Sequence, residues 1–275
     1  MRLEKFDMRD QVVVITGGAG LLGGQHARAI AGVGGRAVLL DINGEGASRV
    51  AAEVAETYGI ETLGLACDIT AEEGVLAARD QILARFGRLD VLINNAANDV
   101  KVERGDHIAQ SRFENLPLEQ WQRDLDVGVT GAYICSRVFG HHMAENGGGV
   151  VLNIGSILSL TAPDQRIYRV DDLEDALQPV KTVTYSVVKH AIIGLTRYLA
   201  TYWADKGVRA NALCPGGVYN EKLPEEFVKR LTRLIPLGRM ARLEDYRGAV
   251  QFLCSDASAY MNGGVVTMDG GQTVW

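Results

Sequence analysis

The chain has 275 residues, 47% of them hydrophobic and 23% charged, enough to bury a large core in a folded globular protein. A net charge of −6, with no Lys/Arg cluster, excludes the basic footprint of a nucleic-acid-binding protein. No apolar run reaches the roughly eighteen residues of a membrane span.

Val12–Ile15 is a short β-branched run, the pattern of a strand buried on both faces of a parallel sheet. It enters a glycine-rich turn, Thr16-Gly-Gly-Ala-Gly-Leu-Leu-Gly23, and a helix follows from about Gly24. Strand, glycine turn and helix start together make an anion site. Amides at a helix start lack partners, the dipole favours negative charge, and missing Cβ atoms admit a pyrophosphate. The next run, Arg36–Asp41, ends in an acid about twenty residues past the glycines, where a carboxylate can accept from ribose hydroxyls and repel a 2′-phosphate. Ile42 and Asn43 follow, so no adjoining cation could receive a phosphate, and NAD is favoured over NADP.

Gly46–Tyr58 has helical spacing, and Thr62–Ala66 reads as a strand before Cys67-Asp68-Ile69-Thr70. Asp68 could cap a helix near Ala71 or contact an adenine. A helix over Glu72–Phe86 and a strand over Leu89–Ile93 lead to Asn94-Asn95-Ala96-Ala97. This alternation predicts an α/β fold, a single-domain Rossmann-type doubly wound parallel sheet with helices on both faces. Asn98–Pro117 breaks the rhythm as a loop or short helix, and Trp121–Glu145 resumes helical spacing. Gly149–Ile154 is a strand running into Gly155-Ser156, followed by a second irregular segment, Ile157–Thr182. The remainder reads as a long helix Thr184–Ala204, a strand Val208–Leu213, helices Glu225–Ile235 and Leu243–Cys254, and a strand Val265–Met268. No linker or repeat divides the chain, so residues 1–275 read as one domain. Cys67, Cys135, Cys214 and Cys254 form no CxxC pair, which predicts buried thiols in a reducing compartment and no metal. The charged start, MRLEKFDMRD, lacks the apolar stretch of a signal peptide, so a cytoplasmic location is expected.

Ligands bind at the carboxyl edge of open α/β sheets, the edge that carries Ser156. Tyr185 and Lys189 stand at i and i+4 near the start of the long helix, on one face. An ordinary phenol, with a pKa of about 10, is a poor base near neutrality. A nearby cation favours the phenolate and makes it usable for proton transfer, while Ser156 could hold a substrate oxygen.

At these residues the chain resembles the short-chain dehydrogenases/reductases, over nearly its whole length from Thr16 to Gly271. TGGAGLLG matches the family's cofactor turn and Asn94-Asn95-Ala96 the segment after the fourth strand. Asn153-Ile-Gly-Ser156, Tyr185-Ser-Val-Val-Lys189, Asn211-Ala-Leu-Cys-Pro-Gly216 and Met268-Asp-Gly-Gly271 follow in family order. The resemblance implies an NAD-dependent interconversion of a secondary alcohol and a ketone. Tyr185 would be the acid/base, Lys189 would tune it and bind ribose, and Ser156 would position the substrate oxygen. It further implies cofactor contacts at Gly17, Gly20, Leu21, Leu22, Gly23, Asp41, Ile42, Cys67, Asp68, Ile69, Asn95, Ala96, Ala97, Tyr185, Lys189, Pro215, Gly216 and Val218.

Three departures bear on function. The glycine spacing, Gly17, Gly20 and Gly23, resembles the extended members that modify sugar nucleotides. Gly128 stands where the family has an asparagine whose main-chain carbonyl holds a relay water. The interval from Ser156 to Tyr185 is lengthened by an insertion around Gln165–Lys181, similar to one in proteins of surface-sugar modification, which points to a sugar or sugar-nucleotide substrate. The insertion is expected to border the substrate as a lid. It also places a decoy, Tyr168, at the family's usual interval, but with no lysine one turn on. Arg166 and Arg169 could grip an anion or pair with Asp171, Asp172, Glu174 or Asp175. The apolar girth of the long helix, from Ile192 to Trp203, suggests a partner subunit, and the resemblance implies a homodimer or homotetramer. Two other functions stay open: an epimerase or dehydratase with tightly bound NAD, and a weakly catalytic NAD-binding protein, motivated by Gly128.

Overall fold

The computed structural model describes residues 4–98 and 110–275. Most of the irregular segment expected over Asn98–Pro117 therefore lies outside the described residues. Seven parallel strands form one sheet: β1 (Val12–Thr16), β2 (Arg36–Asp41), β3 (Leu63–Ala66), β4 (Val91–Asn94), β5 (Gly149–Ile154), β6 (Val208–Pro215) and β7 (Val265–Met268). Their order is β3-β2-β1-β4-β5-β6-β7. The chain runs outward from β1 through β2 to β3, then returns to lay β4 on the other side of β1. That reversal opens a crevice beyond the carboxyl ends of β1 and β4, the place where such sheets bind ligands.

Alternation along the strands divides the core in two. Val13, Ile15, Leu39, Ile93 and Leu152 face one side, against α1 (Gly23–Ala31), α2 (Gly44–Tyr58) and α7 (Arg247–Cys254). Val12, Val14, Val38, Leu40 and Leu92 face the other. There they meet α3 (Glu72–Phe86), the long helix α5 (Val183–Tyr202) and α4, which runs over residues 118–145. Period-two burial on both faces is the expected signature of a sheet covered by two helical layers. Helix α4 widens into π turns at Asp126–Thr130 and Ser136–Gly140. A buried polar ladder ties these layers: Asn94 Nδ2 donates to Asn153 Oδ1 (2.8 Å), and Asn153 Nδ2 to Thr196 Oγ1 of α5 (2.9 Å).

Several helix ends differ from the sequence reading. Helix α4 begins at Leu118, behind Pro117 and ahead of Trp121, with a first turn that buries no side chain and so carries no core periodicity. Helix α6 is Glu225–Thr232 and stops short of Ile235 because Pro236 disfavours helical backbone in the residue before it. Helix α7 begins at Arg247, not Leu243. Asp245 accepts from the Arg242 amide (2.8 Å) and from Arg239 (2.6 Å), holding the preceding residues in a turn.

Candidate active site

The glycine turn is fixed from the next strand over. The Thr16 hydroxyl accepts from the amides of Asn95 (3.0 Å) and Ala96 (3.1 Å), and Asn95 Nδ2 donates to Thr16 O (2.9 Å). These bonds press the turn against β4. Gly17 has φ +65°, and a Cβ there would lie 2.9 Å from Ala96 Cα, so only glycine fits. No side chain caps the start of α1 and no acid stands in its first turn, leaving that end electropositive. Asp41, at the end of β2, accepts from the amides of Ala19 (3.0 Å) and Asn43 (2.9 Å), while Asn43 caps α2. Asp41 is thus held at the rim and is not itself a helix cap. Asp68 accepts from both the amide and the hydroxyl of Thr70 (2.9 and 2.7 Å), and α3 has no side-chain cap. The capping alternative for Asp68 is therefore excluded.

These groups line one wall of a cleft of about 2220 Å³. That is roughly twice the upper size of an ordinary small-molecule pocket, room for a dinucleotide and a second ligand. Every residue expected at a cofactor lines it except Gly23. Gly23 sits behind the wall, where a Cβ would overlap the Gly17 carbonyl oxygen and lie 2.8 Å from Gly18 Cα. Its role is to let α1 start directly beneath the turn. The glycine cradle, the uncapped helix start and the rim carboxylate fit a nicotinamide dinucleotide.

Ser156, Tyr185 and Lys189 line the same cleft. Ser156 leaves the end of β5 with its amide donating to Ser159 Oγ (3.0 Å) and its own Oγ accepting from the Leu158 amide (3.2 Å). The serine is locked at the edge of the sheet, only 7% exposed. Lys189 is buried, donates to Ile154 O (2.9 Å), and holds its ammonium 5.7 Å from the centre of the Tyr185 ring. Burying that charged group is sustained by fixed carbonyl and π partners. Pro215, Gly216 and Val218 extend the wall from β6, with the Gly216 amide tied to Met268 O (2.8 Å).

The insertion forms the opposite wall. Gln165 and Lys181, 16 residues apart, close its neck: the Lys181 amide donates to Gln165 Oε1 (2.8 Å), and Gln165 Nε2 to Lys181 O (3.2 Å). Inside, the buried Gln178 side chain bonds both the amide and carbonyl of Val170 and the carbonyl of Leu173. Ile167 packs with Leu231 and Ile235, and the Tyr168 ring rests against Phe227 of α6 at 5.4 Å. Arg169 pairs with Asp175, one of the four acids the sequence offered, whereas Arg166 pairs with Asp164, an acid outside that set that stands two residues before it.

Sequence reasoning missed two residues of this cleft. The Lys181 ammonium lies 3.8 Å over the Tyr185 ring, and Gln272 Oε1 is buried with no hydrogen-bond partner among the described residues. Lys181 stands four residues before Tyr185, an interval that could have flagged it, whereas Gln272 follows the chain's last strand and carries no local signal.

Gly128 has a packing cause. It is buried in the first π turn of α4, where a Cβ would overlap Val188 Cγ1, the neighbour of Lys189. Restoring asparagine by Gly128→Asn is expected to cost about 1–3 kcal/mol of stability by overpacking, seen as a lower Tm. Adding Val188→Ala should recover most of that loss, and an undiminished loss in the double variant would clear Val188 as the obstruction.

Comparison with known proteins agrees with this geometry. The family described as short chain dehydrogenase matches residues 11–168, and one described as Enoyl-(Acyl carrier protein) reductase matches residues 174–273. The chain is 33% identical to a D-threitol dehydrogenase of Mycolicibacterium smegmatis, over 98% of this chain and 96% of the relative. It is 31% identical to a cis-4-hydroxycyclohexanecarboxylate dehydrogenase of Sinomonas cyclohexanicum, over 96% and 97%. A crystal structure of a gluconate 5-dehydrogenase from Burkholderia cenocepacia, in complex with NADP and tartrate, superposes with a TM-score of 0.86 at 26% identity, over all of both chains. With a sheet, a glycine turn and a serine–tyrosine–lysine cleft in one arrangement, this chain belongs to the short-chain dehydrogenase/reductase family.

Proposed function

We propose that the protein is an NAD-dependent oxidoreductase that interconverts a secondary alcohol and a ketone. The observation that carries this reading is convergence: Ser156, Tyr185 and Lys189 share one cleft with the glycine turn and Asp41. Bound nicotinamide supplies a hydride acceptor, or donor, at C4. In the oxidising direction Ser156 would hold the substrate oxygen and the Tyr185 oxygen would take its proton as the carbinol becomes a ketone. Lys189 would favour the phenolate by its charge and would hold the nicotinamide ribose. The fixed positions of Ser156 and Lys189 remove the cost of assembling these groups at each turnover. Appearance of NADH with a panel of polyols, sugars, sugar nucleotides and hydroxy acids tests the reading.

Cofactor choice rests on Asp41, since the gluconate dehydrogenase neighbour carries NADP. The two backbone amides that hold the carboxylate leave its acceptor capacity for ribose hydroxyls, and its charge opposes a 2′-phosphate. NAD is expected to bind ahead of NADP by about 1–3 kcal/mol. Asp41→Ala should narrow that gap in a fluorescence titration, and equal wild-type affinities would remove Asp41 from this role.

Exposed Tyr133, Tyr198 and Tyr202 on α4 and α5 support a homodimer or homotetramer joined through that face. No helix among the described residues is long and apolar enough to cross a membrane. Four buried, unpaired cysteines support a reducing, cytoplasmic setting. A second reading, a sugar-nucleotide epimerase or dehydratase that recycles its NAD, draws on the Gly17, Gly20 and Gly23 spacing. Turnover without net NADH would select it.

A further inference from the structure

Helices α4 and α5 touch at two points with the same spacing on both. Asp124 and Gly128 stand four residues apart on α4, and so do their partners on α5, Thr184 and Val188. The Thr184 hydroxyl donates to Asp124 Oδ2 (2.5 Å), and the bare Cα of Gly128 makes room for the Val188 side chain. Tyr185 and Lys189 each come one residue after these contacts, so the stripe of α5 that carries them borders the stripe pressed on α4. Lys189 has its own anchor in β5, the Ile154 carbonyl at 2.9 Å. The first turn of α5 has no such anchor from its cap, since Thr182 makes no side-chain cap bond.

Asp124 is 4% exposed, and its partners are neutral donors from three elements. They are Asn98 Nδ2 after β4 (2.7 Å), Gln120 Nε2 on α4 itself (2.6 Å) and Thr184 on α5. Burying a carboxylate costs free energy, which such donors offset, whereas an apolar side chain of similar size would fill the place at no such cost. What the carboxylate adds is direction, because a charge-assisted hydrogen bond holds its donor more tightly than packing does. We infer that Asp124 is a positioning residue: through Thr184 it fixes the first turn of α5, and with it the Tyr185 oxygen relative to Lys189 and Ser156. A loosened first turn moves the phenol while Lys189 stays on β5. The inference rests on the dehydrogenase reading for the reaction that this placement serves.

Hydrogen exchange and steady-state kinetics on the full chain test it together. Asp124→Val and Thr184→Val each remove the tie while keeping most of the side-chain volume. In the NADH-loaded protein, each is expected to speed exchange about tenfold or more at amides 187–189, whose bonds close the first turn of α5, and to spare amides 195–199. With NAD and whichever polyol, sugar or hydroxy acid wild type oxidises fastest, kcat should fall about tenfold or more in each. KM and the NADH dissociation constant should stay within about threefold, the latter also showing that the variants fold. The double variant should be no worse than the poorer single, because both remove one contact. Asp124→Asn should keep kcat within about threefold, since its amide can donate to Thr184 Oγ1 while that hydroxyl turns to Thr182 Oγ1, 3.3 Å away. Unchanged exchange at 187–189 in both valine variants overturns the inference, as does faster exchange with undiminished kcat, or additive losses in the double variant. Failure of the dehydrogenase reading looks different: wild type reduces NAD with no member of the panel, and the exchange result alone then decides whether Asp124 ties the turn.

Discussion

Tyr185→Phe is expected to lower turnover by about 10²-fold or more, because it removes the proposed acid/base group and keeps the ring. The dinucleotide should still bind. Lys189 retains its bond to Ile154 O, and the glycine turn is built from Thr16 and Asn95, neither of which depends on the phenol. The contrast is Tyr168→Phe. Tyr168 lines the same cleft, but its ring packs against Phe227 at a tilt of 38°. Turnover in that variant should stay within a few-fold of wild type, with any change falling on KM, since loops of this kind bear on substrate fit. Steady-state kinetics with parallel NADH titrations separate the two, and an active Tyr185 variant beside a dead Tyr168 variant would reverse the assignment.

Gly23→Ala should act on cofactor binding without touching the cofactor. The new methyl would overlap the Gly17 carbonyl oxygen and crowd Gly18 Cα, both backbone, so no side chain can swing away to make room. The turn must shift or α1 must slide, and either moves the uncapped helix start relative to β4. Affinity for NAD is expected to fall by about tenfold to a hundredfold, the equivalent of 1–3 kcal/mol of overpacking strain. Gly20→Ala provides the scale, since there a Cβ meets only Gly17 O, at 3.2 Å. Its melting temperature without cofactor should lie nearer wild type than that of Gly23→Ala. Unchanged affinity in Gly23→Ala would mean that the turn does not hold the dinucleotide.

Much of this was legible from local pattern. The run Val12–Ile15, the glycines after it and the acid at Asp41 place a strand, a tight turn and a rim carboxylate, because each depends on a few adjacent residues. The i, i+4 spacing puts Tyr185 and Lys189 on one helix face for the same reason. What failed was set by distant partners or by backbone competition. The end of α6 follows from Pro236, and the start of α7 from an aspartate that bonds backward. Among four candidate acids for Arg169, only the folded insertion selects Asp175. The reason for Gly128 lies in Val188, sixty residues away.

That closure makes residues 165–181 an exchangeable cassette. Its two ends are tied to each other by one amide side chain, and its far surface leans on α6 through Ile167 and the Arg230–Asp171 pair. Changing the length of a closed loop costs free energy only logarithmically, so its interior can be rewritten while the scaffold keeps its register. Under the proposed function, descendants of this sequence would acquire new substrates by editing one short stretch, leaving the sheet, the glycine turn and the tyrosine–lysine helix as inherited hardware.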